Sequence, residues 1–261
     1  MTEPFWQRWR PARPRTVLIN VHGLGDHSGM YPSIAAWFPP RDVAVYALDT
    51  RGNGRSPGRR GHIDQWSTYH EDLHAFVRMV REREGMPPVL LGQSLGGLMA
   101  LDYALDHPDM VRGVAAAAPV LGSIGTPAPL LWIARLLSRV WPTFTLETGL
   151  DLAGLASDPE VIRAALDDPL FHRYATARLA TEVLATVASV HARAPALAMP
   201  ALLLHGTADP MVSIDGSRRF ASGPAAARVR LIEYDARHAL FADVGYEQRL
   251  TDLTTWMESL E

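Results

Sequence analysis

The stretch Val89-Leu90-Leu91-Gly92-Gln93-Ser94-Leu95-Gly96-Gly97 decides how the rest of the chain is read. An apolar, strand-like run leads straight into G-x-S-x-G, and Leu98-Met99-Ala100-Leu101 continues as the start of a helix. A serine at a sharp strand-to-helix turn sits in a strained backbone conformation, so the residues two before and two after it must be small. Gly92 and Gly96 meet that demand. Such a turn pushes the hydroxyl clear of the sheet and leaves the N–H of Leu95 free to bind a developing negative charge. A glycine-rich connection with an incidental serine would read the same over this stretch alone, so the surroundings have to decide.

Outward from that turn, short apolar runs alternate with helical patterns. Strands are predicted at Thr16 to Val21, Val43 to Leu48, Val89 to Leu91, Val114 to Val120, Ala201 to Leu204 and Val229 to Ile232. Helices are predicted at Tyr31 to Phe38, Asp64 to Glu84, Leu95 to Leu105 and Tyr246 to Leu260. Near-continuous apolar strands suit a sheet covered on both faces, and the alternation predicts parallel strands with crossover helices. The rhythm breaks between Leu121 and Leu197, where no strand is expected and Leu130 to Trp141, Pro159 to Leu166 and Thr176 to Val190 have helical character. The expected organisation is an α/β core at 1–120 and 198–261, with a helical cap inserted at 121–197.

A serine nucleophile needs a base, an acid that orients the base, and donors for the oxyanion. In a doubly wound sheet these lie on loops beyond the carboxyl ends of the strands. After Ala201-Leu202-Leu203-Leu204 comes His205-Gly206-Thr207-Ala208-Asp209-Pro210, which offers Asp209. After Val229-Arg230-Leu231-Ile232 comes Glu233-Tyr234-Asp235-Ala236-Arg237-His238, which offers His238. Singly, an aspartate before proline is a turn former and a loop histidine is a solvated side chain. Together they give the chain order Ser, Asp, His, each just past a strand end. The loop after the preceding strand, Ala118 to Ser123, contains no carboxylate, which favours Asp209 as the acid. A second oxyanion donor is expected in Val21-His22-Gly23-Leu24-Gly25, where Gly23 and Gly25 let the backbone approach a substrate and the N–H of Leu24 can join that of Leu95.

These motifs resemble the monoacylglycerol lipase and lysophospholipase branch of the α/β-hydrolases. The resemblance rests on His22-Gly23-Leu24-Gly25-Asp26-His27-Ser28-Gly29, Asp49-Thr50-Arg51-Gly52-Asn53-Gly54-Arg55-Ser56, Gly58-Arg59-Arg60-Gly61-His62, the serine motif, and Leu204-His205-Gly206-Thr207-Ala208-Asp209. It covers nearly the whole chain. It implies an α/β-hydrolase fold with a mostly parallel eight-stranded sheet, flanking helices and a helical cap, and it implies a serine ester hydrolase of monoacylglycerols. Lysophospholipase or general carboxylesterase activity is the alternative, and a non-catalytic ligand receptor on the same fold is the reading from another class. Gln93 and Leu95 replace the commoner His and Met beside the serine, and Asn53 replaces the usual His between glycines.

Composition narrows the remaining choices. With 261 residues, 48% of them hydrophobic and 20% charged, the chain can bury a substantial core. A net charge of −3 gives no reason to expect nucleic acid as a partner. The absence of cysteine excludes disulfides, thiolate catalysis and cysteine metal sites. The N-terminal residues lack an apolar leader pattern and no uninterrupted apolar run approaches membrane-spanning length, so a cytoplasmic protein is expected. His70-Glu71-Asp72-Leu73-His74 matches the zinc-protease pattern H-E-x-x-H, but the apolar stripe Trp66, Tyr69, Leu73, Phe76 and Val80 puts both histidines at the border of a surface face. No metal or organic cofactor is therefore expected. The segment Leu130 to Trp141 is apolar around most of its circumference, more than one packed stripe requires. Trp132, Ile133, Leu136, Leu137 and Trp141, with Gly23, are accordingly expected to bind substrate, and the cap is expected to make transient contact with a lipid surface. Arg135, Arg139, Arg163, Arg173 and Arg178 are available there for a phosphate head group, or are simply solvated. A monomer or dimer is expected.

Overall fold

The computed structural model of the chain describes residues 3–122, 128–148 and 152–260. Of the expected insertion, residues 123–127 and 149–151 lie outside the described residues. Seven strands form one sheet: β1 (Trp6–Trp9), β2 (Thr16–Val21), β3 (Val43–Leu48), β4 (Val89–Gln93), β5 (Gly113–Ala117), β8 (Ala201–Gly206) and β9 (Val229–Tyr234), in the order β1-β3-β2-β4-β5-β8-β9. All neighbours pair in parallel except β1, which runs antiparallel along β3 from Trp6 opposite Leu48 to Trp9 opposite Val45. A sheet of eight strands was implied by the resemblance, and this sheet has seven among the described residues. β1 escapes sequence reading because Trp6-Gln7-Arg8-Trp9 is a short, half-exposed edge with charged and polar members.

The central strands are buried on both faces, as their continuous apolar runs require. Successive side chains alternate between two cores. Val17, Ile19 and Val21 pack with α2 (Trp66–Glu84) and α3 (Leu95–Asp106), through Leu73, Phe76, Leu98 and Leu101 among others. Leu18, Val45 and Leu91 pack with α1 (Pro32–Trp37) and α8 (Tyr246–Glu258), through Ile34, Leu250, Leu253 and Trp256.

Between the neighbouring strands β5 and β8 the chain inserts α4 (Ala128–Val140), β6 (Thr145–Glu147), α5 (Pro159–Asp167), β7 (Tyr174–Thr176) and α6 (Ala177–Arg193). The expectation that this region holds no strand is corrected, since β6 and β7 pair antiparallel. Three residues each are too short to leave an alternating signature. α6 buries Leu179, Val183 and Val190 in the same core as α2 and α3. α4 rests on α6 through Ser138, whose hydroxyl lies 2.8 Å from that of Thr181. α7 (Asp215–Ser222) was also not foreseen, because its polar sequence buries only Gly216, Ser217 and Phe220. Among the described residues no helix is long and apolar enough to cross a membrane.

Candidate active site

Ser94 occupies the turn between β4 and α3 with φ 56° and ψ −118°. A non-glycine residue adopts this left-handed region only under constraint. The constraint is visible in its neighbours: a Cβ on Gly92 would fall 2.1 Å from the Gly96 carbonyl oxygen, and one on Gly96 would fall 2.2 Å from that of Val21. The Ser94 N–H donates to the Ala117 carbonyl (2.9 Å), and the Ser94 carbonyl accepts from Val120 (3.2 Å). The side chain is left at the carboxyl edge of the parallel strands, half-buried.

Two further loops converge on the same edge. The Thr207 N–H donates to the Tyr234 carbonyl (2.7 Å) and the Ala208 N–H to that of Ala236 (3.1 Å), binding the loop after β8 to the loop after β9. Across this junction His238 Nδ1 lies 2.7 Å from Asp209 Oδ2. The other carboxylate oxygen, Oδ1, accepts from the N–H groups of Met211 (2.8 Å) and Val212 (3.1 Å). Burial alone would raise the Asp209 carboxyl, but hydrogen bonding by His205 and His238 and the Val212 N–H hold it well below the usual carboxylate range. An ionised carboxylate can only accept, so His238 carries its proton on Nδ1 and a neutral ring presents Nε2 as a base.

The loop His22 to Gly25 follows β2, which neighbours β4 in the sheet. A Cβ on Gly23 would lie 3.3 Å from Ser94 Cβ, so this backbone passes directly beside the serine. The loop is braced from behind. His22 Nδ1 lies 2.7 Å from the Gly23 carbonyl, and Nε2 accepts from the Thr50 N–H (2.9 Å). Burial pushes His22 below its ordinary range and keeps it neutral in that role. The Gly23 N–H donates to the Tyr31 hydroxyl (3.3 Å), which donates onward to Asp26 (3.0 Å). Among the described residues, the N–H groups of Leu24 and Leu95 have no hydrogen-bond acceptor. Both are therefore available to an anion beside Ser94.

The inserted segment grips this edge from two sides. On one, the Gly25 carbonyl accepts from His172 N–H (3.1 Å), His172 Nε2 donates to Asn53 Oδ1 (2.9 Å), and His27 Nε2 lies 2.9 Å from Asp168. Asn53, a departure from the family pattern, is thus the core partner of His172. Burial, aided by the nearby Arg60, drives His172 down to about 4. On the other side, the Ala239 N–H donates to the Leu155 carbonyl (2.8 Å), and the Asp158 N–H to Asp243 (3.1 Å), tying the segment to the turn after His238. Of the expected substrate residues, Gly23 stands beside Ser94, while Trp132, Ile133, Leu136 and Trp141 are exposed and Leu137 is half-buried. Gln93 is buried at the end of β4.

The H-E-x-x-H histidines serve different partners. His74 Nδ1 meets the Tyr103 hydroxyl (3.1 Å) and its ring lies 4.4 Å from that of His107, whereas His70 Nε2 faces Asp106 (3.3 Å). His70, Asp102 and Asp106 bring possible ligand atoms within 4.8 Å of one another, but Arg193 already pairs with both carboxylates. The border of a surface face read from the sequence is a partly buried, ion-paired patch. Two residues went without a role in the sequence reading: His172, which meets Asn53, and His205, quoted in the Asp209 motif and fully buried against that carboxylate.

A seven-stranded doubly wound sheet, a serine in a left-handed strand-to-helix turn and a buried histidine–aspartate pair at the same edge define an α/β-hydrolase. The chain belongs to the family described as serine aminopeptidase, S33, which it matches over residues 12–245. It is 31% identical over 256 residues to a monoacylglycerol lipase of Mycolicibacterium smegmatis, spanning 96% of this chain and 91% of that one. Its fold is similar to the crystal structure of Paleococcus ferrophilus monoacylglycerol lipase, with a TM-score of 0.90, 32% identity and full coverage of both chains. A soluble variant of monoglyceride lipase from Saccharomyces cerevisiae, in complex with a substrate analog, shares the fold at a TM-score of 0.88 and 22% identity, over 100% of this chain and 96% of that one.

Proposed function

We propose that the chain hydrolyses monoacylglycerols to fatty acid and glycerol, with Ser94 as nucleophile, His238 as general base and Asp209 as the acid that orients it. The observation that carries the chemistry is the buried His238–Asp209 pair on the edge where Ser94 is held in its left-handed turn. His238 Nε2 takes the Ser94 proton as Oγ attacks the ester carbonyl. The tetrahedral oxyanion is held by the N–H groups of Leu24 and Leu95, and its collapse expels the glycerol alkoxide, which receives the proton from His238. Water, deprotonated by the same Nε2, then attacks the acyl-enzyme. A second tetrahedral intermediate collapses to release fatty acid and restore Ser94. Each proton is moved by the chain's own residues and water.

The choice of monoacylglycerol rests on the relatives named above. Within the same proposal, residues 121–197 act as a cap and the protein works in the cytoplasm. The solvent-facing side of α4 supports contact with a lipid surface: Trp132 is 65% and Val140 70% exposed, with Ile133, Leu136 and Trp141 beside them. Large apolar side chains in a contiguous exposed set mark an interaction surface.

The test is a turnover panel at matched acyl length: a monoacylglycerol, a lysophospholipid, a simple alkyl ester and an aminoacyl anilide. The proposal expects the highest kcat/KM on the monoacylglycerol. Highest turnover of the lysophospholipid or the alkyl ester would move the substrate to that class, preferred cleavage of the anilide would make the chain a peptidase, and no turnover of any would leave a ligand receptor.

A further inference from the structure

Asp209 lies between two imidazoles, and the mechanism above uses only one of them. His205, in β8, has a fully buried side chain. An imidazole out of contact with water needs partners for both nitrogens. Nδ1 lies 2.8 Å from the Ser217 hydroxyl on α7. Nε2 lies 3.1 Å from the Val212 carbonyl and 3.4 Å from Asp209 Oδ2, the oxygen that also receives His238. Both groups facing Nε2 are acceptors, so a proton sits there, while Nδ1 meets the Ser217 hydroxyl.

We propose that His205 is a positioning residue for the hydrolytic reaction, fixing the Asp209 carboxylate through Nε2–H and thereby setting the pH range over which His238 serves as base. The inference rests on the triad proposed above. His205 acts on Asp209 along two routes. Directly, its Nε2–H places positive charge density beside Oδ2. Indirectly, it holds the Val212 peptide by its carbonyl, and the N–H of that residue donates to Oδ1 (3.1 Å). A carboxylate that loses one of these supports concentrates its charge on the bond to His238, and His238 then keeps its second proton to higher pH. The hydrogen bonding by His205 that holds the Asp209 carboxyl low agrees with this division of the charge. One further charged group faces His205: Glu233, its partner across β9, whose carboxylate is paired with Arg218 (2.7 Å).

The experiment is the pH profile of kcat/KM on a short, soluble ester for wild type, His205→Gln and His205→Asn, with Ser94→Ala run alongside. Glutamine carries an amide N–H to the place of Nε2, toward Asp209 and Val212. Asparagine carries one only to the place of Nδ1, toward Ser217. In His205→Asn the acidic limb is expected to move to higher pH by about half a unit or more, with kcat/KM at the plateau reduced about tenfold, the loss of one hydrogen bond to a charged group. His205→Gln is expected to keep the wild-type limb. A role in folding alone would lower melting temperature without moving the limb. Where His205→Asn does not fold, His205→Phe, which fills the volume without a donor, makes the same comparison. An unmoved limb in the donor-less variant, or an equal shift in His205→Gln, overturns the proposal. Turnover persisting in Ser94→Ala would instead overturn the triad itself.

Discussion

The carboxyl edge of the sheet and the outer face of α4 are specified in opposite ways. At the edge, position is enforced by backbone: Ser94 is wedged where neighbouring residues have no room for a Cβ, and the Asp209 and His238 loops are joined by N–H to carbonyl bonds. On α4, large apolar side chains face solvent, and none of the described residues covers them. The first region is built within a single chain, and what it can do follows from internal geometry. The second is defined by what it meets. Changes at the edge should therefore act on every substrate through kcat, and changes on α4 should act only where a lipid chain or surface takes part.

The largest effect separates the two acidic residues near His238. Asp209→Asn is expected to cost about 10⁴ in kcat by stabilising the wrong tautomer of His238. Asp235→Asn, on an exposed side chain, is expected to change little. Reversed effects would place the acid elsewhere and break the account of the edge. Gly25→Ala should come next. Gly25 has φ +78°, and a Cβ there would fall 1.8 Å from the His172 carbonyl oxygen. The oxyanion loop must shift, and loss of one donor is expected to cost about 10²- to 10³-fold in kcat with KM for short esters little changed. A rise in KM alone would show that the loop binds substrate uniformly and does not serve the transition state.

On α4 the comparison predicts selectivity. Each methylene that the protein buries adds about 0.8 kcal/mol, or about fourfold in kcat/KM. Leu136→Ser, on an exposed residue, should flatten the rise of kcat/KM with acyl length on dispersed lipid, leave butyrate esters untouched and leave the melting temperature unchanged. Leu137→Ser, half-buried, should also lower the melting temperature. Parallel losses across all acyl lengths would make α4 purely structural.

The smallest effect belongs to the seam between the two regions. His172 is held near 4 in the folded protein against an ordinary value of 6.5, so the unfolded chain takes up the proton first as pH falls. Stability should fall with pH between about 6.5 and 4, by about 3 kcal/mol at most. His172→Gln cannot charge and should lose that slope. A variant with the wild-type slope would assign the acid sensitivity to another group.

The contrast also explains what was legible in the sequence. Gly92, Gly96, Asp209 and His238 each sit within a few residues of an apolar strand end, so their placement follows from a parallel sheet and a short loop. The Leu24 and Leu95 donors are legible for the same reason. His205 was not, because a histidine inside a strand gives no sign of which carboxylate it will face. Asn53 and His172 meet across more than a hundred residues of chain, a contact that no local pattern encodes. β1, β6 and β7 are too short or too polar to show periodicity. For α4, the sequence shows an excess of apolar surface, and the fold decides that Trp132, Ile133 and Leu136 face outward.

The central claim is that the left-handed turn holds an activated serine, and reaction with a fluorophosphonate tests it most directly. Intact-mass and peptide analysis should find one label per chain, on Ser94, with no label in Ser94→Ala and strongly slowed labelling in Asp209→Asn. Labelling of another serine, or equal labelling of Ser94 in wild type and Asp209→Asn, would contradict the account.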